Sequence, residues 1–468
     1  MKTSLGKNIL KNGLYQLGNL LFPLISGAYI ARILEPAGVG RVAWARNLVS
    51  WFTMLAALGI PAYGIREMAR CPEGEKDRLF SELMVLQCLS TLVSLLIYLG
   101  YALWLPGPNP LTMVFALELV FHFFSMEWLY QSREDYGYIA IRSLSVKLLS
   151  LLAMVVLVRD KTDAVMYGLI LCLGTGITGL WNAIHAGSFV RFTLGGLYLR
   201  RHIRPVLTLM VSAAAASLYS KLDITMLGLM GTSEQVGYYV NAHKTVSLVL
   251  ALAASVTAVF LPRLSHVYGR DKQVFARTLS GGLELLLLLA VPGCVGLMLV
   301  AEEVTVFLFG AAFAPAGRSI RILALLIPVK GVGDLLCYQA LISTGNERYF
   351  PAARLAAGLG NVVLNRLMIP AWGHDGAAAA SVISELLGNG LLLIPSLRLC
   401  RPVPEKGFLR AVAVSTAAMA AAVGEARGWP LLLRIGLGVA VYLAAAALQR
   451  KQIFGGRICT ILRQKEMK

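Results

Sequence analysis

Residues 279–300 read LSGGLELLLLLAVPGCVGLMLV, twenty-two residues with one charged side chain, Glu284. At 1.5 Å per helical residue the run is about 33 Å long, enough to cross the ~30 Å hydrocarbon core of a bilayer. Thirteen further apolar runs lie on either side of it, at roughly 12–33, 41–61, 80–104, 111–130, 139–158, 164–186, 205–230, 236–261, 319–343, 351–370, 376–397, 408–424 and 430–448. Most links between them are shorter than about 15 residues, too short for a soluble domain. The chain is 57% hydrophobic and 15% charged, with mean hydropathy +0.68. That leaves too little polar surface to cover a water-soluble globule. A chain that spans lipid must satisfy its backbone polar groups internally, and helices do so within one segment. The expected class is an all-α integral membrane protein with about 14 transmembrane helices.

The net charge of +18 suggests a nucleic-acid partner until its distribution is read. Segments 1–11, 62–79, 131–142, 187–204, 262–278, 344–354, 398–410 and 449–468, all on one side of the implied membrane, carry 29 Lys and Arg. The links on the other side carry 6. Basic residues are retained in cytoplasmic loops. Both termini are therefore expected in the cytoplasm, with Cys71 and Cys459 on that face and 449–468 as a basic cytoplasmic tail. The charge orients the protein, and no nucleic-acid partner is expected.

An internal repeat organises the chain. Val39-Gly40 opens the second run and Val236-Gly237 opens the eighth, 197 residues later. At the same offset Arg66 falls on Arg263, and Arg46 falls on His243, beside Lys244. Six runs separate the copies, so both halves face the same way across the membrane, as in parallel repeats. The reading is a six-helix lobe over 1–200, a second over 205–400, and a further helix pair at 408–448 outside the repeat. Two such halves suit transport by alternating access.

Eight basic residues not counted with the links fall inside the runs. Arg321 and Arg434 lie within a turn of a run end, where a long side chain can snorkel to the headgroups. Lys244 stands eight residues in, about 12 Å deep. Lys147 is at a similar depth and Lys330 is deeper, so these three are expected to line a lumen. Arg46, Lys221 and Arg366 complete the expected substrate-binding set. Lys330 and Asp334, four apart, can also neutralise each other. Lys221 and Asp223, two apart, cannot face one another. The acidic candidates are Glu118, Glu127, Asp223, Glu284, Asp334 and Glu385, of which Asp223 and Asp334 are the candidates for coupling or gating. Glu118, His122 and Ser125 share one helix face. Cations in the outer half and centre of the membrane suit an anionic substrate group such as phosphate.

The seven cysteines form no CxxC pair, and no Walker loop, dinucleotide fingerprint or metal cluster is readable. No cofactor or metal is expected. Gly174, Gly176 and Gly179 fit close helix packing better than phosphate binding. An enzyme would need a catalytic surface loop. The longest external link, 301–318, offers only Glu302 and Glu303, and adjacent helix residues face apart. No catalytic residue is expected.

Three stretches carry a family resemblance. Leu58-Gly59-Ile60-Pro61-Ala62-Tyr63-Gly64-Ile65-Arg66-Glu67 ends the second run. Leu222-Asp223-Ile224-Thr225-Met226-Leu227-Gly228 leads to Val236-Gly237-Tyr238-Tyr239 and Leu261-Pro262-Arg263-Leu264. Ser343-Thr344-Gly345-Asn346-Glu347-Arg348 precedes Asn361, Asn365, Ile369-Pro370 and Gly376-Ala377-Ala378. Over about 5–450 the chain resembles the polysaccharide biosynthesis proteins, the oligosaccharide (O-antigen type) flippases of the multidrug/oligosaccharidyl-lipid/polysaccharide exporter superfamily. The resemblance implies a V-shaped pair of lobes that move undecaprenyl-diphosphate-linked oligosaccharide to the outer leaflet. It implies membrane lipids and polysaccharide polymerase or export proteins as partners. Related lipid II flippases place basic residues for the diphosphate in the second and eighth helices, which Arg46 and Lys244 match here. Their extra terminal helices help form a prenyl-tail groove, and 408–448 resembles them. The alternatives are a cation-coupled drug or metabolite antiporter or a lipid II flippase of the same superfamily and, more remotely, a membrane glycosyltransferase or polymerase.

Overall fold

The computed structural model describes residues 5–104, 109–268 and 271–453, with side chains from Phe22 onward apart from 212, 215–220 and 451. Cys459 and most of the expected tail at 449–468 lie outside the described residues. The described chain is helical, without strands. Ten helical segments are long and apolar enough to cross a membrane. Their outward faces are apolar, as at Leu96, Leu103, Leu148 and Leu152. This is a multi-pass integral membrane protein.

Two compact units divide the chain at Gly237/Tyr238. The first holds α1 (Leu5–Ala57), α2 (Ile60–Arg70), α3 (Lys76–Trp104), α4 (Pro110–His122), α5 (Glu127–Ser132), α6 (Tyr136–Leu157), α7 (Ala164–Ala186) and α8 (Arg200–Met230). α1 carries two of the sequence runs through one bend, at Glu35 (φ 55°, ψ 178°). Pro36 causes it: a proline has no N–H to donate and drives the residue before it to an extended ψ. Lys161 caps the bend with an ion pair to Glu35 at 2.7 Å. α1 packs against α3, α4, α6 and α8, and α4 packs on α7.

α9 (Ser233–Ala258) leads into the second unit, which continues with α10 (Phe260–Val267), α11 (Lys272–Leu299), α12 (Ala301–Phe309), α13 (Ala316–Leu323), α14 (Leu326–Val332), α15 (Ala340–Ser343), α16 (Phe350–Leu399), α17 (Phe408–Glu425) and α18 (Leu431–Leu448). α16 also joins two runs through a bend, at Gly373 (φ 57°), a conformation open to glycine. The run at 319–343 is irregular: α13, α14, a π-helical stretch Gly333–Gln339 and α15 follow one another. Pro328, Gly331 and Gly333 weaken regular helix there. α17 and α18 pack together, and α17 lies on α11. Tyr442 Oη donates to the Leu288 carbonyl at 2.7 Å.

The glycines that mark the repeat meet. A Cβ on Gly40 would stand 1.7 Å from the Ser233 carbonyl oxygen, and one on Gly237 would stand 2.2 Å from that of Pro36. Only hydrogen fits at either place.

Arg434 does not snorkel. Its side chain is buried, with Nε donating to the Val423 carbonyl at 2.8 Å and Nη1 to Glu303 at 2.6 Å. Burial pushes the Glu303 carboxyl up, but its backbone hydrogen bond and the Arg434 guanidinium outweigh this and hold it below the usual carboxylate range. Arg321 is half-exposed and lies 3.7 Å from Glu302. Each of the two adjacent glutamates thus answers an arginine.

Candidate functional site

A cavity of about 400 Å³ opens within the first unit among α1, α4, α5, α7 and α8. Glu118, His122, Ser125, Glu127, Asn182 and Lys221 are among its walls, with hydroxyls from Ser50, Thr53, Thr175 and Thr178. Glu118 and His122, one turn apart on α4, both line this cavity; Ser125, expected on the same helix face, lies instead in the break between α4 and α5 and lines the cavity from there.

The α1–α8 seam places Lys221. Asn47 Nδ2 donates to Thr225 Oγ1 at 2.7 Å and to the Lys221 carbonyl at 3.3 Å, and Trp51 Nε1 donates to Thr225 Oγ1 at 3.0 Å. Thr225 in turn donates to the Lys221 carbonyl at 2.9 Å. Gly228, one turn on, lets the Trp44 ring lie against α8. Lys221 is left half-buried, Nζ donating to the Ser50 carbonyl at 3.1 Å and standing 5.7 Å from the Trp51 ring centroid. Arg46 is exposed on α1, and both Arg46 and Lys221 are within electrostatic reach of Glu118.

The other carboxylate of the cavity is anchored from behind. Arg142, 1% exposed, donates through Nη2 to Glu127 Oε2 at 2.7 Å and through Nη1 to Asn182 Oδ1. Lys147 is within electrostatic reach of Glu127 and lies 6.0 Å from the Phe22 ring centroid. Sequence reading counts Arg142 as a loop residue. The signal available was its overlap with the start of the fifth run.

The second unit gathers a different cluster. Glu385, 3% exposed, lies 3.8 Å from Lys330 Nζ and 3.4 Å from Arg354 Nη1, and accepts from Asn389 Nδ2 at 3.1 Å. Asp334, on the π-helical stretch, is within electrostatic reach of Glu385, Arg354 and Lys330. The sequence offers Asp334 as the near partner of Lys330, whereas the ion-pair distance is to Glu385 on the far arm of α16. By sequence Arg354 falls among the loop cations. Lys244 is half-buried, with Nζ 3.4 Å from Asn241 Oδ1. Asp223 is buried on α8. Arg366 is exposed on α16 between Val363 and Leu367, themselves exposed apolar residues. Arg46 and Lys221 thus both act on Glu118, and Lys330 and Asp334 both lie within electrostatic reach of Glu385.

Glu82 also lies inside an apolar run, and sequence reading passes over it. Its carboxylate is fully buried and accepts from Arg78 Nε at 3.2 Å, Arg201 Nη2 at 2.5 Å, His202 Nε2 at 2.8 Å and the Tyr198 amide at 2.7 Å. It fastens the start of α8 to α3.

An apolar groove of about 560 Å³ lies among α9, α11, α17 and α18, walled by Leu252, Leu288, Leu297, Met419, Val439 and Tyr442 among others. No group of His, Cys, Asp and Glu suited to a metal ion occurs among the described residues.

Comparison with known proteins gives consistent findings. The family described as polysaccharide biosynthesis protein matches residues 5–267. The Escherichia coli (strain K12) protein named "Putative O-antigen transporter" is 22% identical over 402 residues, covering 84% of this chain and 97% of that protein. The Haloferax volcanii protein named "Probable flippase AglR" is 29% identical over 208 residues, 43% of each chain. Among solved structures, the lipid II flippase MurJ in an inward closed conformation matches with TM-score 0.78 at 15% identity, covering 95% of this chain and 99% of that one. At that identity the likeness is one of fold.

Proposed function

Because this chain belongs to the polysaccharide biosynthesis protein family, we propose that it is a flippase. Its substrate is undecaprenyl-diphosphate-linked oligosaccharide, carried from the cytoplasmic to the outer leaflet of the cytoplasmic membrane by alternating access. The moving parts are two six-helix lobes, 1–200 and 205–400, with 408–448 as an additional pair and both termini in the cytoplasm.

The observation that carries this reading is Lys221. A cation inside an apolar run lines a cavity whose other walls carry hydroxyls, Asn182 and Glu118, and its ammonium donates to the Ser50 carbonyl. Ionisable groups at such depth mark substrate pathways. A diphosphate would take Lys221 and Arg46, and the hydroxyls and Asn182 suit a saccharide. The groove at α17 and α18 suits a polyprenyl chain. Lys147, Lys244, Lys330 and Arg366 complete the proposed path for the anionic headgroup, with Asp223 and Asp334 as coupling groups. A cation-exporting antiporter would need carboxylates left available to a cation, yet Glu127 and Glu385 are paired with arginines and Glu118 faces two cations.

Purified protein in vesicles should move an undecaprenyl-diphosphate-linked glycan between leaflets. Transport of lipid II with indifference to the glycan would instead assign a lipid II flippase, and efflux of cationic drugs alone would assign an antiporter. Run across pH and sodium gradients, the same assay should show altered ion dependence in Asp223→Asn and Asp334→Asn. Labelling of Cys71 by an impermeant thiol reagent applied outside intact cells would overturn the orientation.

A further inference from the structure

The two carboxylates of the first unit's cavity are held differently. Glu127 is engaged by Arg142 at 2.7 Å and by Gln131 Nε2 at 3.3 Å. No hydrogen bond to the Glu118 side chain occurs among the described residues, and the cations that act on it are Arg46 from α1 and Lys221 from α8. The remaining titratable groups near it are uncharged at neutral pH or already occupied. Tyr98 on α3 and Cys172 on α7 feel its charge, and Tyr167 on α7 faces Arg46; these are phenols and a thiol, neutral near pH 7. His122, one turn along α4, bonds Thr91 Oγ1 at 3.2 Å. Glu127 is the other anion at the cavity.

We propose that Glu118 is a built-in counter-ion, exchanged for a proton when an anionic headgroup takes Arg46 and Lys221. The inference rests on the reading of this cavity as a diphosphate site. In the empty cavity the carboxylate answers both cations. A phosphate arriving at the same two cations brings a second anion into a space of about 400 Å³. Like charges so close, at reduced dielectric, favour protonation of the weaker acid. A doubly esterified diphosphate is much the stronger acid, so Glu118 accepts the proton, drawn from water, onto a carboxylate oxygen. No covalent bond of the ligand changes. Linkage is reciprocal: if binding takes up a proton, lowering the pH tightens binding. For one proton the limit is about tenfold in affinity per pH unit. On release of the headgroup the cations return to Glu118 and the proton leaves, so each cycle of capture carries one proton with it.

Calorimetric titration of the purified full-length protein tests this. The probe is a prenyl-diphosphate-linked N-acetylglucosamine, whose diester diphosphate has no titratable group between pH 5 and 8. Titrations in buffers of differing ionisation enthalpy count the protons taken up. Wild type should take up close to one proton per ligand in part of that range, with affinity rising as pH falls. Glu118→Gln should bind with no uptake and a flat pH profile. Binding by wild type without uptake at any pH overturns the counter-ion and leaves the diphosphate site standing. Uptake that persists in Glu118→Gln assigns the proton elsewhere and also overturns it. Absence of binding, or binding indifferent to both Arg46→Ala and Lys221→Ala, removes the diphosphate site itself. Should Glu118→Gln not be recovered folded, the wild-type proton count alone can overturn the proposal.

Discussion

Replacing Lys221 by alanine probes the proposed site most directly. An ammonium has three N–H donors. Among the described residues one goes to the Ser50 carbonyl at 3.1 Å, and the Trp51 ring lies 5.7 Å from Nζ. Two donors therefore remain for a ligand. A hydrogen bond to a charged partner contributes about 1.5–3 kcal/mol. Losing one should weaken capture by about 10- to 150-fold, since each 1.4 kcal/mol is a factor of about ten. Folding should suffer less. The truncation removes one bond to a carbonyl and a ring contact, and it also removes the cost of keeping a half-buried cation in a lipid-spanning helix. Lys221→Arg should recover part of the activity because charge matters more here than planar geometry. The assay is transport of a lipid-linked glycan in vesicles, together with rescue of a strain lacking its own O-antigen-type flippase, at matched expression. Full transport by Lys221→Ala at native expression would refute the reasoning, because a cation whose two free donors meet nothing in the cycle cannot be a headgroup ligand.

Three further outcomes are expected. Lys244→Ala should impair transport by about tenfold or more with expression intact, and Arg46→Ala with Lys244→Ala should be close to inactive; unchanged transport in the double variant would remove both from the path. Gly237→Ala places a Cβ 2.2 Å from a backbone oxygen, so destabilisation at or above the upper end of about 1–3 kcal/mol should appear as a lowered unfolding temperature in detergent; an unchanged midpoint would mean that the α1 bend yields. Glu303 has a folded-state pKa below its unfolded value, so its pair with Arg434 contributes stability above the unfolded pKa, lost as pH falls through the folded one. Wild type should lose thermal stability over that acidic window more steeply than Glu303→Gln, and identical profiles would show that the pair contributes nothing.

Much of the fold was legible from residues that act locally. Apolar runs of some twenty residues must be helical in lipid, and the structure is helical through most of them, with a break at 123–126 in the fourth run and an irregular course over 319–343. The link expected between the first two runs is the α1 bend, set by Pro36. Gly40 and Gly237, matched at one offset, both sit where only hydrogen fits, and Thr225 and Gly228 of the second quoted stretch build the seam that sets Lys221. The shared face of Glu118 and His122 followed from helical spacing, whereas Ser125 lies past the end of α4, in the break before α5.

Pairing of charges was decided by tertiary structure. Distance from a helix end made Arg434 look able to reach headgroups, yet its partner Glu303 is 131 residues away in sequence. Four-residue spacing pointed Lys330 at Asp334, but the π-helical stretch alters the helical phase just beyond Lys330, and Glu385 arrives from the far arm of a bent helix. Arg142, counted with the loop cations, became the buried anchor of Glu127. The physical reason is common to these cases. Hydropathy and periodicity depend on a residue and its near neighbours along one helix, so the sequence by itself determines helices, bends and faces. Which face meets which depends on rotation and tilt between helices far apart in the chain, and in a low-dielectric interior those choices decide which cation is neutralised and which is left at the cavity wall.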